Sequence, residues 1–313
     1  MPSLNAVTVT LRAHGLSAAA AELVWDVLQH ESIGSASDVR DAVGCLLVSE
    51  YDLPSADVDS VALELFRTLG IWQGGAASAP PQRAAPSAGP FLSSFEWKRE
   101  FKTDKERYEL PYSFELTDGR GCLELAQTPF GPEGFASTVW DSSIVLARML
   151  EHRGESLLGC RCIELGAGCG LVGLAAAALG ANVVLTDLPV NLRLLRANAR
   201  ANAKASLGGV PRVQPLAWGE RLLDEGFDMV VATDVFYARE AMPALLETLV
   251  ALAGPRTSVL LAAGRNRHAA DDFFALARIN FEIEQLDREA LHPIYQCGDV
   301  DVWSLRVKLG RST

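Results

Sequence analysis

The residues best suited to chemistry lie between Cys162 and Asp187. They read Cys-Ile-Glu-Leu-Gly-Ala-Gly-Cys-Gly-Leu-Val-Gly-Leu, then an alanine-rich stretch, then Ala-Asn-Val-Val-Leu-Thr-Asp. A short apolar run, a glycine-rich turn, a helical stretch and a second apolar run ending in a carboxylate make up half of a nucleotide-binding crossover unit. Gly166, Gly168 and Gly170 let the backbone come close to a ligand that side chains would keep away. Asp187, at the tip of the next strand, is placed to accept hydrogen bonds from ribose hydroxyls. A dinucleotide turn is Gly-x-Gly-x-x-Gly; here the third glycine, Gly170, comes one residue early and Leu171 takes its place. Glu164 stands two residues before the first glycine. A pyrophosphate favours a bare helix N-terminus. S-adenosylmethionine has no phosphate and carries an amine and a sulfonium, so a carboxylate beside the turn suits it better than a polyanion. A turn that merely joins strand to helix is the alternative, and Asp187 weighs against it.

Two further strand tips carry candidates. Trp218, in Leu-Ala-Trp-Gly, either stacks on an adenine face or packs as a core tryptophan. Asp-Val-Phe-Tyr, Asp234 to Tyr237, follows the next strand. A carboxylate here can hold an amine and aim its lone pair, and a tyrosine can add a hydrogen bond and wall a narrow channel. Methyl transfer is an in-line displacement in which positioning dominates. A free lysine titrates near 10.4, so its amine must be made neutral, and desolvation helps. The bland reading makes Asp234 a helix N-cap; the two readings are compatible.

The elements that position these groups follow from periodicity. Strands are expected at Arg161–Leu165, Asn182–Thr186, Arg212–Leu216, Met229–Thr233 and Ser258–Ala263, with helices between them. A helix near Asp271–Arg278 precedes two strands with no helix between them, Phe281–Leu286 and Val300–Val307. This is an α/β fold: a Rossmann-like, doubly wound, mostly parallel seven-stranded sheet with a final antiparallel hairpin. Ligands of such sheets bind beyond the carboxyl ends of the strands, where the candidates above fall. Upstream, Trp140-Asp141 opens a helix running through Leu150. Phe95, Trp97 and Phe101 alternate with charged residues, and Asp118-Gly119 suits a hairpin turn, so an antiparallel β element is expected from Phe91 onward.

Three regions are expected along the 313 residues. Residues 1–73 form a small helical element, with apolar residues at helical spacing in Ala21, Val24 and Val27, in Val39, Val43 and Leu46, and in Val58, Val61 and Leu65. Residues 74–90, rich in Gly, Ala, Ser and Pro, form a flexible linker. Residues 91–313 form the catalytic domain. A hydrophobic fraction of 49% supports a large core, and a net charge of −11 disfavours nucleic acid as a partner while favouring basic protein segments. The six cysteines show no zinc spacing, so no metal site is expected. No signal peptide or membrane-length apolar run is legible, and the expected setting is cytoplasmic, with the nucleus open as well. Oligomeric state is not legible.

Four motifs in order resemble the seven-β-strand, non-SET protein-lysine methyltransferases of the methyltransferase-like group. They are Thr-Val-Trp-Asp-Ser-Ser-Ile-Val-Leu-Ala (Thr138 to Ala147), Glu-Leu-Gly-Ala-Gly-Cys-Gly-Leu-Val-Gly (Glu164 to Gly173), Leu-Ala-Trp-Gly (Leu216 to Gly219) and Asp-x-x-Tyr (Asp234 to Tyr237). The resemblance covers roughly Phe91 to Val307. It implies S-adenosylmethionine as cofactor and a lysine side chain of a protein as acceptor. Trp140, Gly166, Ala167, Gly168, Asp187, Trp218 and Thr233 are implied cofactor contacts, and Asp234 and Tyr237 the substrate-lysine end. Enzymes that methylate the amino group of adenine often carry two prolines between an Asp or Asn and the tyrosine, where this chain has Val235 and Phe236. Another acceptor (a small-molecule amine, a protein histidine or an N-terminus) and a catalytically silent scaffold are the alternatives. The helical N-terminal region departs from the shorter members of that family.

Overall fold

A computed structural model describes residues 4–14, 16, 21, 24, 39, 55–68, 95–129, 136–154, 156–222, 226–264 and 267–308. The chain divides into two compact units, Met1–Glu96 and Trp97–Thr313. In the first, α1 (Leu4–Ala13) packs against α2 (Ser55–Thr68). Val7 and Leu11 on one helix and Val61 and Leu65 on the other are buried, each pair one turn apart. His14 Nε2 lies 2.9 Å from Glu64 Oε2. The expected linker at 74–90, and most of the expected helix around 37–47, lie outside the described residues.

From Phe95 onward the chain differs from expectation. The aromatic alternation of Phe95, Trp97 and Phe101 makes no strand: residues 95–98 turn, Arg99–Phe101 is a 3-10 turn, and α3 (Asp104–Tyr108) follows. Thr103 decides this locally. Its hydroxyl accepts the Glu106 N–H at 3.3 Å while the Glu106 carboxylate accepts the Thr103 N–H at 2.9 Å, a capping box that starts a helix. The β element begins later, with β1 (Tyr112–Glu115) antiparallel to β2 (Cys122–Leu125) across a turn at Thr117–Gly119.

The main sheet is built from β3 (Arg161–Leu165), β4 (Asn182–Asp187), β5 (Arg212–Pro215), β6 (Met229–Thr233), β7 (Ser258–Ala263), β8 (Phe281–Gln285) and β9 (Asp301–Val307). Its order is β5-β4-β3-β6-β7-β9-β8. All neighbours are parallel except β9, which is antiparallel to both β7 and β8. This is the expected Rossmann-like sheet with its inserted last strand. The chain order reverses between β3 and β6, so the crevice opens beyond their carboxyl ends.

Helices cover both faces: α4 (Asp141–His152), α5 (Leu171–Ala178), α6 (Leu192–Ala201), α7 (Met242–Leu252) and α8 (Ala270–Ala277). Central strands are buried on both faces, which is why they read as continuous apolar runs. Helix α6 buries Leu192, Leu195, Asn198 and Ala199 at helical spacing. Asn198 accepts the Ala126 N–H at 2.9 Å and donates to the Cys169 carbonyl at 3.0 Å, while Asn202 brackets both backbone groups of Glu124 at 2.8 and 2.9 Å. These two amides dock the β1–β2 hairpin and the glycine turn onto one helix by pairing backbone groups of Glu124, Ala126 and Cys169.

Candidate active site

The glycine turn joins β3 to α5. Gly166, Gly168 and Gly170 all have positive φ, at 62°, 54° and 85°. A Cβ on Gly168 would meet the Ala136 carbonyl oxygen at 2.9 Å, so both backbone conformation and close approach require glycine. A Cβ on Gly166 would lie 3.5 Å from the Trp218 ring and 3.6 Å from Val235, so the tips of β3, β5 and β6 converge here. Ala167 is buried beside them and donates its N–H to the Thr186 carbonyl.

Asp187 ends β4 and is 6% exposed. Its Oδ2 accepts the Gly168 N–H at 2.7 Å; its Oδ1 accepts the Leu188 N–H and the Asn191 amide, each at 2.7 Å. Burial pushes the carboxyl upward and these three donors oppose it. Oδ2 keeps a lone pair for one further donor. Leu188 and Val190, immediately after it, are exposed apolar side chains.

Glu164, expected beside the ligand, is a buried residue of β3. It is 1% exposed and its Oε2 accepts the Gly173 N–H at 2.8 Å, beneath the turn. Burial pushes it up to about 8, so near neutral pH it holds its proton. Gly173 is the counterpart of this placement: a Cβ there would come within 2.7 Å of the same oxygen.

Trp140 is half-buried and precedes α4; its carbonyl accepts the Ser143 hydroxyl at 2.7 Å. The approach to it is fixed by Gln127, whose Oε1 accepts from Val139 N–H at 3.0 Å, Thr138 hydroxyl at 2.9 Å and the buried Arg99 guanidinium at 3.0 Å. Asp141 accepts the Arg99 N–H at 2.8 Å, and burial lifts its carboxyl to about 6.

Asp234 follows β6 in a left-handed conformation, φ 52°, unlike any other described non-glycine residue. No helix starts there, so the N-cap reading does not hold: the next helical residues are a 3-10 turn at Arg239–Ala241 and then α7. The Asp234 N–H donates to the Ala262 carbonyl at 2.9 Å. Its Oδ1 accepts the Gly264 N–H at 2.8 Å, and its Oδ2 accepts the Ser142 hydroxyl. Burial pushes the carboxyl up; Gly264 and Ser142 pull it down. A left-handed non-glycine residue costs about 1–3 kcal/mol. Val235 and Phe236 offset it: both are buried, and burying each contributes about 1.5–3 kcal/mol. Phe236 packs within 5.1–5.9 Å, ring to ring, of Phe273, Phe274 and Trp303. Tyr237 then emerges, 37% exposed, with its ring centroid 6.5 Å from that of half-buried Trp218. Thr233, half-exposed at the end of β6, pairs with Ala262.

The structure thus gathers the three turn glycines, Ala167, Asp187, Trp218, Thr233, Asp234 and Tyr237 along one sheet edge, with Trp140 just before the α4 turn whose Ser142 reaches Asp234. Residues 123–279 match the model of a family described as lysine methyltransferase. The chain belongs to the lysine methyltransferase family. Relatives within it include Protein N-lysine methyltransferase METTL21A of Danio rerio, 39% identical over 166 residues, covering 52% of this chain and 76% of that one. The same protein of Xenopus tropicalis is 37% identical, covering 56% and 79%. EEF1A lysine methyltransferase 3 of Mus musculus is 36% identical, covering 52% and 72%. For a lysine methyltransferase, three neighbours of the site went unread in the sequence: Ser142, Gly264 and Leu188. Leu188 had a local signal, an apolar residue directly after the strand-end carboxylate, and Ser142 lay within the Thr138–Ala147 motif without being singled out.

Proposed function

We propose that this edge holds S-adenosylmethionine against the glycine turn and presents a protein lysine to Asp234 and Tyr237. The observation that carries the reading is Asp234 itself: a left-handed carboxylate clamped by Gly264 and Ser142 at the tip of β6, next to the strand bearing the glycine turn. Backbone strain of this kind is retained where the surroundings over-determine it.

The residues present fit an adenosyl group. The turn offers bare backbone, Asp187 Oδ2 retains an acceptor site for a ribose hydroxyl, and Leu188 with Trp218 provides apolar and aromatic faces for a base. When bound, S-adenosylmethionine supplies an electrophilic methyl group. Asp234 accepts hydrogen bonds from the incoming lysine amine and orients its lone pair. Tyr237 flanks the lysine stem and helps exclude water, which favours the neutral amine over the ammonium. Fixed placement then provides most of the rate. The net charge of −11 steers basic protein segments toward the enzyme.

The test is incubation with methyl-labelled S-adenosylmethionine and heat-treated cell extract, with EEF1A as one defined acceptor, followed by acid hydrolysis and chromatography. Labelled methyl-lysine is expected. Label appearing only on another residue, or none above the no-enzyme control, contradicts the proposal.

A further inference from the structure

Two adjacent serines open α4, and they spend their hydroxyls differently. Ser143 donates to the Trp140 carbonyl at 2.7 Å, a bond within its own helix turn. Ser142 is 1% exposed and donates instead to Asp234 Oδ2, across 92 positions of sequence. A buried hydroxyl normally satisfies itself on nearby backbone; this one is committed to the carboxylate of the strained residue.

We infer that Ser142 is a positioning residue for methyl transfer: its hydroxyl, together with the Gly264 N–H, fixes the orientation of the Asp234 carboxylate toward the acceptor amine. The inference rests on the proposed role of Asp234. Each carboxylate oxygen has two lone-pair sites. Gly264 uses one on Oδ1 and Ser142 one on Oδ2, so one on each oxygen remains for the amine. The two donors come from different elements, the start of α4 and the end of β7. Together with the Asp234 N–H bond to Ala262, they leave the side chain one orientation.

The charged surroundings set the sign of the pH effect. Asp141 on α4 interacts unfavourably with Asp234, and Arg267 beyond β7 favourably, while Arg267 is itself paired with Asp301 at 2.5 Å. Burial disfavours the carboxylate, and a hydroxyl donor favours it. Removing the Ser142 hydroxyl therefore raises the Asp234 carboxyl further and moves the acid limb of the rate profile to higher pH.

The experiment compares full-length wild type, Ser142→Ala, Ser142→Thr and Asp234→Asn. It measures the initial rate of methyl-lysine formation in heat-treated cell extract at saturating S-adenosylmethionine across pH, S-adenosylhomocysteine affinity by calorimetry, and thermal unfolding. Ser142→Ala is expected to slow transfer about tenfold and shift the acid limb upward. Its affinity for S-adenosylhomocysteine should stay within twofold, with thermal unfolding unchanged. Ser142→Thr should restore rate and profile; if it unfolds early, the Ser142→Ala profile decides alone. A slow Ser142→Ala enzyme with an unshifted profile would reduce Ser142 to packing and overturn the inference. So would wild-type behaviour of Ser142→Ala when Asp234→Asn is inactive. If Asp234→Asn is fully active, or wild type forms no methyl-lysine, the underlying reading of the site fails first.

Discussion

Replacing Glu164 with glutamine should remove a pH dependence of stability that lies beneath the glycine turn. The carboxyl is 1% exposed, and burial, helped by the neighbouring charge of Asp187, lifts it from 4.5 to about 8. Folding therefore takes up a proton at Glu164 between those values. The sign follows: this contribution is fully present below about pH 4.5 and is lost as pH rises through about 8. Each unit is worth about 1.4 kcal/mol, so the ceiling between pH 5 and 8 is about 4 kcal/mol. Glutamine is neutral throughout and its Oε1 can accept the Gly173 N–H as the carboxyl does now at 2.8 Å. Glu164→Gln should match wild type near pH 5 and gain on it steadily toward pH 8. The assay is urea unfolding of both proteins without cofactor at each pH. Taking the difference between them cancels Asp141, Asp187 and Asp234, which are present in both. A constant difference across the range would mean that Glu164 is ionised in the folded protein and that its burial does not govern its charge.

Gly168→Ala should destabilise by about 2–5 kcal/mol, the sum of a left-handed alanine and a 2.9 Å approach to the Ala136 oxygen, read by urea unfolding; a neutral effect would mean the turn relaxes freely. Asp187→Ala leaves the Gly168, Leu188 and Asn191 donors without their shared acceptor, so S-adenosylhomocysteine affinity should fall at least about tenfold by calorimetry. Unchanged affinity would separate Asp187 from the ligand. Deleting residues 1–90 should leave a soluble, cooperatively unfolding protein that still binds S-adenosylhomocysteine. Aggregation of that fragment would show that the N-terminal helices complete its core.

The central sheet was legible because its strands are buried on both faces, and runs such as Val183–Leu185 and Val259–Ala263 leave little else to be. The position of the glycine turn between strand and helix, and of Asp187 at a strand end, was legible because both signals are local. Residues 95–108 were misread because aromatic alternation outweighed the Thr103–Glu106 capping box, the stronger signal. The burial of Glu164 was not legible because a strand covered on both sides gives no alternation to say which way a carboxylate points. The clamp on Asp234 could not be read at all: its donors lie 92 and 30 residues away, and only the packing of α4 and β7 against β6 brings them together.

The most direct measurement is a crystal structure of the full chain with S-adenosylhomocysteine. The ribose hydroxyls should rest on Asp187, with the sulfur facing Asp234 and Tyr237. A ligand bound at another edge, or with its sulfur turned away from Asp234, would contradict the assignment of this crevice.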